Sequence, residues 1–154
     1  MRHFAVASAR KGHLIVMPVR DRYEKEFAMA GSHGKFYWNE LMARDVPKAK
    51  KFYADTLGWS FEAMPMPGGG TYWVAKMGGE PVGGMFDISG PVYSGVPEGW
   101  MPYIAVDDVD TRVGKAVAAG AKIMKPAFDV PNVGRIVILQ EPGGAGIGWM
   151  TPAS

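Results

Sequence analysis

Apolar side chains recur at helical spacing in two stretches of the chain. In DVPKAKKFYADTLGW (Asp45–Trp59), they form a single stripe of Ala49, Phe52, Tyr53 and Leu57. An aspartate before the stripe can cap a helix, a proline suits the first turn, and a glycine after the stripe favours termination. The pattern therefore predicts an amphipathic helix that begins and ends within this stretch.

The second stretch, DDVDTRVGKAVAAGAK (Asp107–Lys122), has the same plan. Its stripe is Val109, Val113, Ala116 and Val117, again between an aspartate and a glycine. The capping aspartate of the second helix lies 63 positions after that of the first. This recurrence indicates a unit that the chain uses twice.

Alternating apolar and polar residues predict strands in the same order around both helices. One strand precedes each helix, in FYWNELMAR (Phe36–Arg44) and GWMPYIAVD (Gly99–Asp107). Three strands follow each helix, with glycine- and proline-rich turns between them. They are WSFEAM, TYWVAKM and PVGGMFDI in the first unit, and AKIMKPAF, RIVILQE and GIGWMTP in the second. VGGM (Val82–Met85) aligns with IGWM (Ile147–Met150), which extends the repeat to the last strand.

The repeat divides the chain into four segments. We expect an N-terminal extension at residues 1–34, a first βαβββ module at 35–88, a linker at 89–98 and a second module at 99–154. A small sheet with one helix leaves an apolar face exposed, so neither module should be stable alone. The prediction is an α+β fold in which one curved eight-stranded sheet forms a cup and the helices pack on its convex side.

Composition excludes several classes of function. The net charge is only +2 and the basic residues are scattered, which argues against nucleic acid as a partner. The chain has no cysteine, which excludes disulfides, thiolate metal sites and cysteine nucleophiles, and which suits the cytoplasm. The apolar stretch LIVMPV is too short to cross a membrane. We therefore expect a cytoplasmic protein with no membrane partner.

The motifs together resemble the vicinal oxygen chelate superfamily, which includes glyoxalase I, bleomycin-resistance proteins and extradiol dioxygenases. The resemblance rests on RDVPKAKKFYADTLGW, GGEPVGGM, VDDVDTRVGKAVAAGAK and EPGGAGIGWM, and it covers about residues 35–152. It implies a pair of βαβββ modules that form a cup, with a metal or a ligand on the concave face.

The resemblance also implies where metal ligands would lie, in the first and last strand of each module. Those places are occupied by Trp38, Gly83, Met101 and Gly148, none of which supplies an imidazole or a hard oxygen. All three histidines, His3, His13 and His33, precede the modules. No cofactor is predicted and a divalent metal is disfavoured, unless a histidine of the N-terminal segment folds over the cup.

Glu40 is the one carboxylate that alternation places beside an expected ligand position, and it is the candidate catalytic residue. It would act as a general base or anchor a cationic ligand, or alternatively it pairs with a nearby lysine or arginine or lies at a solvated strand end. Aromatic and methionine side chains would form the apolar walls of the cup. The predicted ligand-binding set is Trp38, Glu40, Trp73, Met85, Met101, Tyr103 and Met150.

Three functions follow from this interpretation. The first is a protein of the bleomycin-resistance kind that binds a small, largely apolar or aromatic molecule without a metal. The alternative is a lyase, isomerase or dioxygenase of the same superfamily, with an atypical metal shell or with Glu40 as general base. The third is an interaction module, which an apolar cup favours least.

The first thirty residues have no counterpart in the repeat. They form either an arm that pairs with a sheet edge or a neighbouring subunit, or a segment ahead of a natural start at Met29. Exposed sheet edges, the apolar LIVMPV stretch and the frequency of two-fold pairs favour a homodimer.

Overall fold

The structure is a computed structural model that describes residues 32–153. The expectations for residues 1–30 therefore lie outside the described part of the chain. Within it, eight strands and two α-helices follow the predicted order, with one 3₁₀ turn at Pro91–Tyr93. The first module comprises β1 (Phe36–Ala43), α1 (Val46–Leu57), β2 (Ser60–Pro65), β3 (Thr71–Met77) and β4 (Glu80–Asp87). The second comprises β5 (Gly99–Ala105), α2 (Val109–Ala118), β6 (Lys122–Val130), β7 (Gly134–Gln140) and β8 (Gly146–Pro152).

Both helices begin at the aspartates that the sequence indicated. The Asp45 side chain accepts a hydrogen bond from the Lys48 backbone N–H at 2.9 Å. Asp108 accepts one from the Thr111 N–H at 2.6 Å. These bonds satisfy N–H groups that have no partner within a helix. At the end of α1, Gly58 takes a left-handed conformation with φ of 72°, which glycine adopts without strain.

The strands form one mixed sheet in the order β2-β3-β4-β1-β5-β8-β7-β6. Within each module the first and last strands are parallel neighbours, β1 with β4 and β5 with β8. The modules join where β1 and β5 pair antiparallel. The predicted α+β fold, a pair of βαβββ modules sharing one eight-stranded sheet, is thereby confirmed. Strands β2 and β6 are its edges, where main-chain groups can pair with another chain.

The helices cover one face of the sheet. The best-formed core lies beneath α2, where five residues are buried: Val106, Val109, Ala116, Val137 and Leu139. Trp149 packs against this core, as expected for a residue that points away from Met150. Neither helix in the stretch 32–153 is long and apolar enough to cross a membrane.

The register of the last strands corrects the sequence alignment of the two modules. Gly84 lies opposite Glu40, and Gly148 lies opposite Tyr103, which occupies the place of Glu40 in the second module. Gly148 therefore corresponds to Gly84, not to Gly83, and Met85 corresponds to Trp149. The alignment of VGGM with IGWM was wrong by one residue, and a shift of one residue moves a side chain to the other face of a sheet.

Arg44 fixes the linker between the modules. Its guanidinium donates hydrogen bonds to the carbonyl oxygens of Ile88 at 2.9 Å and Val96 at 2.7 Å, and its backbone N–H donates to Glu98 at 2.8 Å. We expect Arg44→Met to lower the free energy of unfolding by about 1–2 kcal/mol, because two hydrogen bonds from a charged donor are lost. Urea denaturation measures this loss. Lys48→Met, in the exposed first turn of α1, is the control, and equal midpoints for the two variants would contradict the role of Arg44.

Candidate functional site

The sheet face opposite the helices carries a continuous apolar surface, which we call the cup face. Strand registers place alternate residues of β1, β3, β5, β6, β7 and β8 on it. Tyr103, Ile136 and Met150 are buried there. Trp38, Met101, Phe128, Val130 and Ile138 pack against those three. Five of the seven predicted ligand-binding residues thus share one face: Trp38, Glu40, Met101, Tyr103 and Met150.

Glu40 lies at the centre of a hydrogen-bonded cluster on the cup face. The Tyr103 hydroxyl donates to Glu40 Oε1 at 3.0 Å. The Trp38 indole N–H donates to the Tyr72 hydroxyl oxygen at 2.8 Å, as an indole N–H can only donate. The Tyr72 hydroxyl also lowers the pKa of Glu40. The carboxylate thus accepts a hydrogen bond from Tyr103 and has the Tyr72 hydroxyl close to it.

Burial sets the protonation behaviour of this cluster. It raises the pKa of Glu40, outweighing the lowering effects of Tyr103, Tyr72 and the positive charge of Lys125. Burial, and then the charge of Glu40, also raises the pKa of both tyrosines. The phenols therefore remain protonated donors at neutral pH. Glu40 takes up a proton at a higher pH than an exposed carboxylate does.

Two glycines make room for the tyrosine rings. A Cβ atom on Gly84 would lie 1.7 Å from the Tyr72 hydroxyl oxygen, and one on Gly148 would lie 2.2 Å from Cδ1 of Tyr103. Neither distance is compatible with a side chain, so each ring lies directly across a glycine. The corresponding glycine of each module thus leaves space for a tyrosine ring on the cup face.

Trp73 and Met85 do not lie on the cup face, and their predicted placement there is wrong. Trp73 pairs with Met85 across β3 and β4, and the Lys50 ammonium of α1 lies 3.1 Å from the centre of the Trp73 indole. Met85 is fully buried. Both side chains therefore face the helix layer. Together with Lys50, Trp73 lines an open cleft of about 510 Å³ beside the first turn of α1.

Tyr72 is the site residue that sequence reasoning missed. It precedes Trp73 in TYWVAKM. Because adjacent residues of a strand lie on opposite faces, the assignment of Trp73 to the cup face excluded Tyr72. The pairing of Glu40 with Gly84, and of Gly84 with Val74, places Tyr72 on the same face as Glu40. These pairings join strands that are distant in the chain, so no pattern in the sequence indicated Tyr72.

The described residues do not fit a metal site of the superfamily type. The strand positions at which the resemblance implies metal ligands carry Trp38, Met101, Gly148 and, with the corrected register, Gly84 in place of Gly83. Among residues 32–153, no three histidines, cysteines, aspartates or glutamates come together closely enough to hold an ion. His33 Nδ1 instead accepts a hydrogen bond from the backbone N–H of Asp107 at 3.0 Å. Glu40 makes no ion pair with any described lysine or arginine.

The Trp38 indole orients Tyr72, and its removal is testable. We expect Trp38→Phe to lower the free energy of unfolding by about 1–2 kcal/mol, because the partly buried Tyr72 oxygen loses its donor. Tyr72→Phe and the double variant complete a cycle measured by urea denaturation. If this hydrogen bond couples the two residues, the free energy of unfolding lost in the double variant is smaller than the sum of the losses in the two single variants. Strict additivity would contradict a linked pair.

Comparisons with known proteins agree with this architecture. Residues 35–148 match the family model "Glyoxalase/Bleomycin resistance protein/Dioxygenase superfamily". "Putative glyoxylase CFP32" of Mycobacterium tuberculosis is 38% identical over 133 residues, which are 86% of this chain and 48% of that protein. "Anthracycline biosynthesis protein DnrV" of Streptomyces peucetius is 28% identical over 119 residues, 70% of this chain and 43% of DnrV. The chain thus spans about half the length of the curated relatives it matches.

Solved structures share the fold at low identity. Methylmalonyl-CoA epimerase from Mycobacterium tuberculosis superposes with a TM-score of 0.55 at 16% identity, covering 77% of this chain and 88% of that chain. Hypothetical protein BH1468 from Bacillus halodurans superposes with a TM-score of 0.60 at 12% identity, covering 78% and 95%. These likenesses concern the fold alone.

Proposed function

Because the chain belongs to the glyoxalase/bleomycin resistance protein/dioxygenase superfamily, we propose that it binds a small, largely apolar or aromatic molecule on the cup face without a metal of the superfamily type. The apolar side chains contact the body of the ligand. Glu40 and the hydroxyls of Tyr72 and Tyr103 contact its polar group.

One observation carries this proposal, the partly buried carboxyl of Glu40 beside the hydroxyls of Tyr103 and Tyr72 on an otherwise apolar wall. Burial of a carboxylate opposes folding, since it removes the charge from water. A position that served stability alone would favour an apolar residue there. A few polar groups converging on an apolar concave surface are typical of small-molecule sites, and a carboxyl with a perturbed pKa marks a candidate site.

The name of one relative supports the aromatic class of ligand. DnrV is named for anthracycline biosynthesis, and anthracyclines are polycyclic aromatic molecules. Trp38 and Tyr72, which are partly exposed, offer the ring surfaces on which such a molecule would stack.

A thermal-shift screen against small aromatic and apolar compounds tests the proposal. Compounds that raise the Tm of the wild type should fail to do so in Ile138→Trp, which fills the cup face. Val117→Trp, on the exposed surface of α2, is the matched control and should retain the response. Compounds that stabilise all three proteins equally would overturn binding on the cup face, and so would a screen without any stabilising compound.

A second function, proton transfer to and from carbon, is favoured by the combination of a raised pKa at Glu40 and the Tyr103 hydroxyl bonded to it. Glu40 would take a proton from a carbon next to a carbonyl group. As this proton neutralises Glu40, the Tyr103 hydroxyl would redirect its hydrogen bond to the oxygen that becomes negative. Every group in this scheme belongs to the chain, and none of its steps passes through a metal.

We also propose that the protein is a cytoplasmic homodimer. The unpaired edges of β2 and β6 support this assembly. Sedimentation at micromolar concentration should give a dimer, and removal of residues 1–28 should weaken it if those residues reach a partner. A full-length monomer at that concentration would refute the dimer, and an unchanged dimer after truncation would refute the part played by the N-terminal segment.

A further inference from the structure

Lys125 places a cation at the rim of the cup face. It lies in the edge strand β6 opposite Ile138, whose neighbour in β8 is Gly148 and whose side chain packs on the cup face. The Lys125 ammonium is 3.9 Å from the centre of the Phe128 ring, which packs on the same face. The side chain is therefore directed along the cup by an aromatic contact.

This ammonium has no anionic partner in the described chain. The ion pairs and hydrogen bonds of residues 32–153 include none from Lys125. Lys115 and Lys122 of the same module also have no ion pair among the described residues, but Lys125 differs from them because it lies opposite Ile138 of the cup face. The arginines of this module are paired. Arg112 pairs with Asp107, and Arg135 pairs with Asp110. Lys125 therefore presents a free cation beside an apolar wall.

The charge of Lys125 reaches the centre of the site. It lowers the pKa of Glu40, although burial and the tyrosine hydroxyls have larger effects. No ion pair forms between the two side chains, so Glu40 does not neutralise the lysine. The cup face thus has two separate polar features, the Glu40–tyrosine cluster on its floor and a cation at its β6 rim.

We propose that the ligand is an amphiphilic anion, with an aromatic or apolar body against the cup face and a carboxylate or similar anionic group bound by Lys125. This inference rests on the proposed function and narrows it to one class of ligand. The anionic group supplies the partner that Lys125 lacks, and the apolar body covers the wall between the rim and Glu40. A cationic ligand would instead meet like charge at the rim.

Two fluorescent probes of similar shape and different charge test the proposal. The first, 1-anilinonaphthalene-8-sulfonate, is anionic, and N-phenyl-1-naphthylamine is its neutral counterpart. We expect both to bind the full-length wild type and neither to bind Ile138→Trp. Lys125→Met should weaken binding of the anionic probe about fivefold, as expected for an ion pair at an exposed rim, and leave the neutral probe unchanged. Lys115→Met, on α2, should bind both probes as the wild type does.

The outcomes separate this inference from the function on which it depends. Suppose that Lys125→Met weakens the binding of both probes equally, or of neither, while Ile138→Trp abolishes the binding of both. The cup face then binds ligands, but the proposal of an anionic ligand is wrong. If neither probe binds the wild type, or if Ile138→Trp binds both as the wild type does, both proposals fail. A decrease of the anionic probe's affinity with added salt, present in the wild type and absent in Lys125→Met, would support the ion pair.

Discussion

Replacement of Gly148 by alanine should destabilise the protein and disrupt the cup face together. The added Cβ would lie 2.2 Å from Cδ1, 2.4 Å from Cε1 and 2.9 Å from Cγ of Tyr103. The Tyr103 ring is only 8% exposed, so it has little room to move aside. We expect a loss of about 1–3 kcal/mol in the free energy of unfolding, the usual cost of overpacking, and a broken hydrogen bond between Tyr103 and Glu40.

Gly146→Ala is the matched control, because it adds the same methyl group to the same strand. Its Cβ would meet the Met101 methyl carbon at 3.5 Å, an ordinary contact. The free energy of unfolding of Gly146→Ala, measured by urea denaturation, should therefore be close to that of the wild type. The binding of the neutral naphthylamine probe should fall in Gly148→Ala alone. Equal stability of the two variants would mean that Tyr103 does not lie across Gly148.

Glu40→Gln should make the protein more stable at neutral pH. Burial raises the pKa of Glu40 above its ordinary value of 4.5, so the folded state holds this proton to a higher pH than the unfolded state does. The free energy of unfolding of the wild type therefore falls as pH rises from about 4.5 through the raised pKa. Glutamine carries no charge, so the free energy of unfolding of Glu40→Gln should exceed that of the wild type increasingly across this pH interval. Below the interval the difference should vanish.

Glu141→Gln provides a control of opposite sign. The backbone N–H groups of Gly143 and Ala145 donate to the Glu141 carboxylate and lower its pKa. This carboxylate stabilises the fold above its unfolded pKa, and the stabilisation is lost as pH falls through the folded pKa. Urea midpoints between pH 3 and 8 should therefore diverge in opposite directions for the two variants. Parallel curves for Glu40→Gln and the wild type would contradict the burial of this carboxyl.

The Glu40→Gln variant also distinguishes the two proposed functions. If Glu40 transfers protons, Glu40→Gln should lower kcat about 10²–10⁴-fold for any substrate found, because a positioned general base is lost. If the protein only binds its ligand, the variant should change affinity without abolishing a reaction. Proton–deuterium exchange at a carbon of the bound ligand, measured by NMR in D₂O, decides between them. Exchange in the wild type and in Glu40→Gln at equal rates would exclude Glu40 as the base.

The sequence by itself determined the elements and their repetition. Asp45 and Asp108 begin the helices because their short side chains satisfy local N–H groups, and a glycine terminates α1 because it tolerates a left-handed conformation. These interactions span only a few residues, so they are visible in the chain. Alternation in β1 and β5 likewise placed Trp38, Glu40 and Tyr103 on one face.

Only the tertiary structure decided the faces of β3 and β4, and with them the composition of the site. Two adjacent glycines, Gly83 and Gly84, carry no side chain to reveal which of them lies on the cup face. The parallel pairing of β4 with β1 resolves this, because it sets Gly84 opposite Glu40. Such pairing joins residues far apart in the chain, and a shift of one residue exchanges the two faces. That is why Tyr72 contacts Glu40 while Trp73 packs beneath α1.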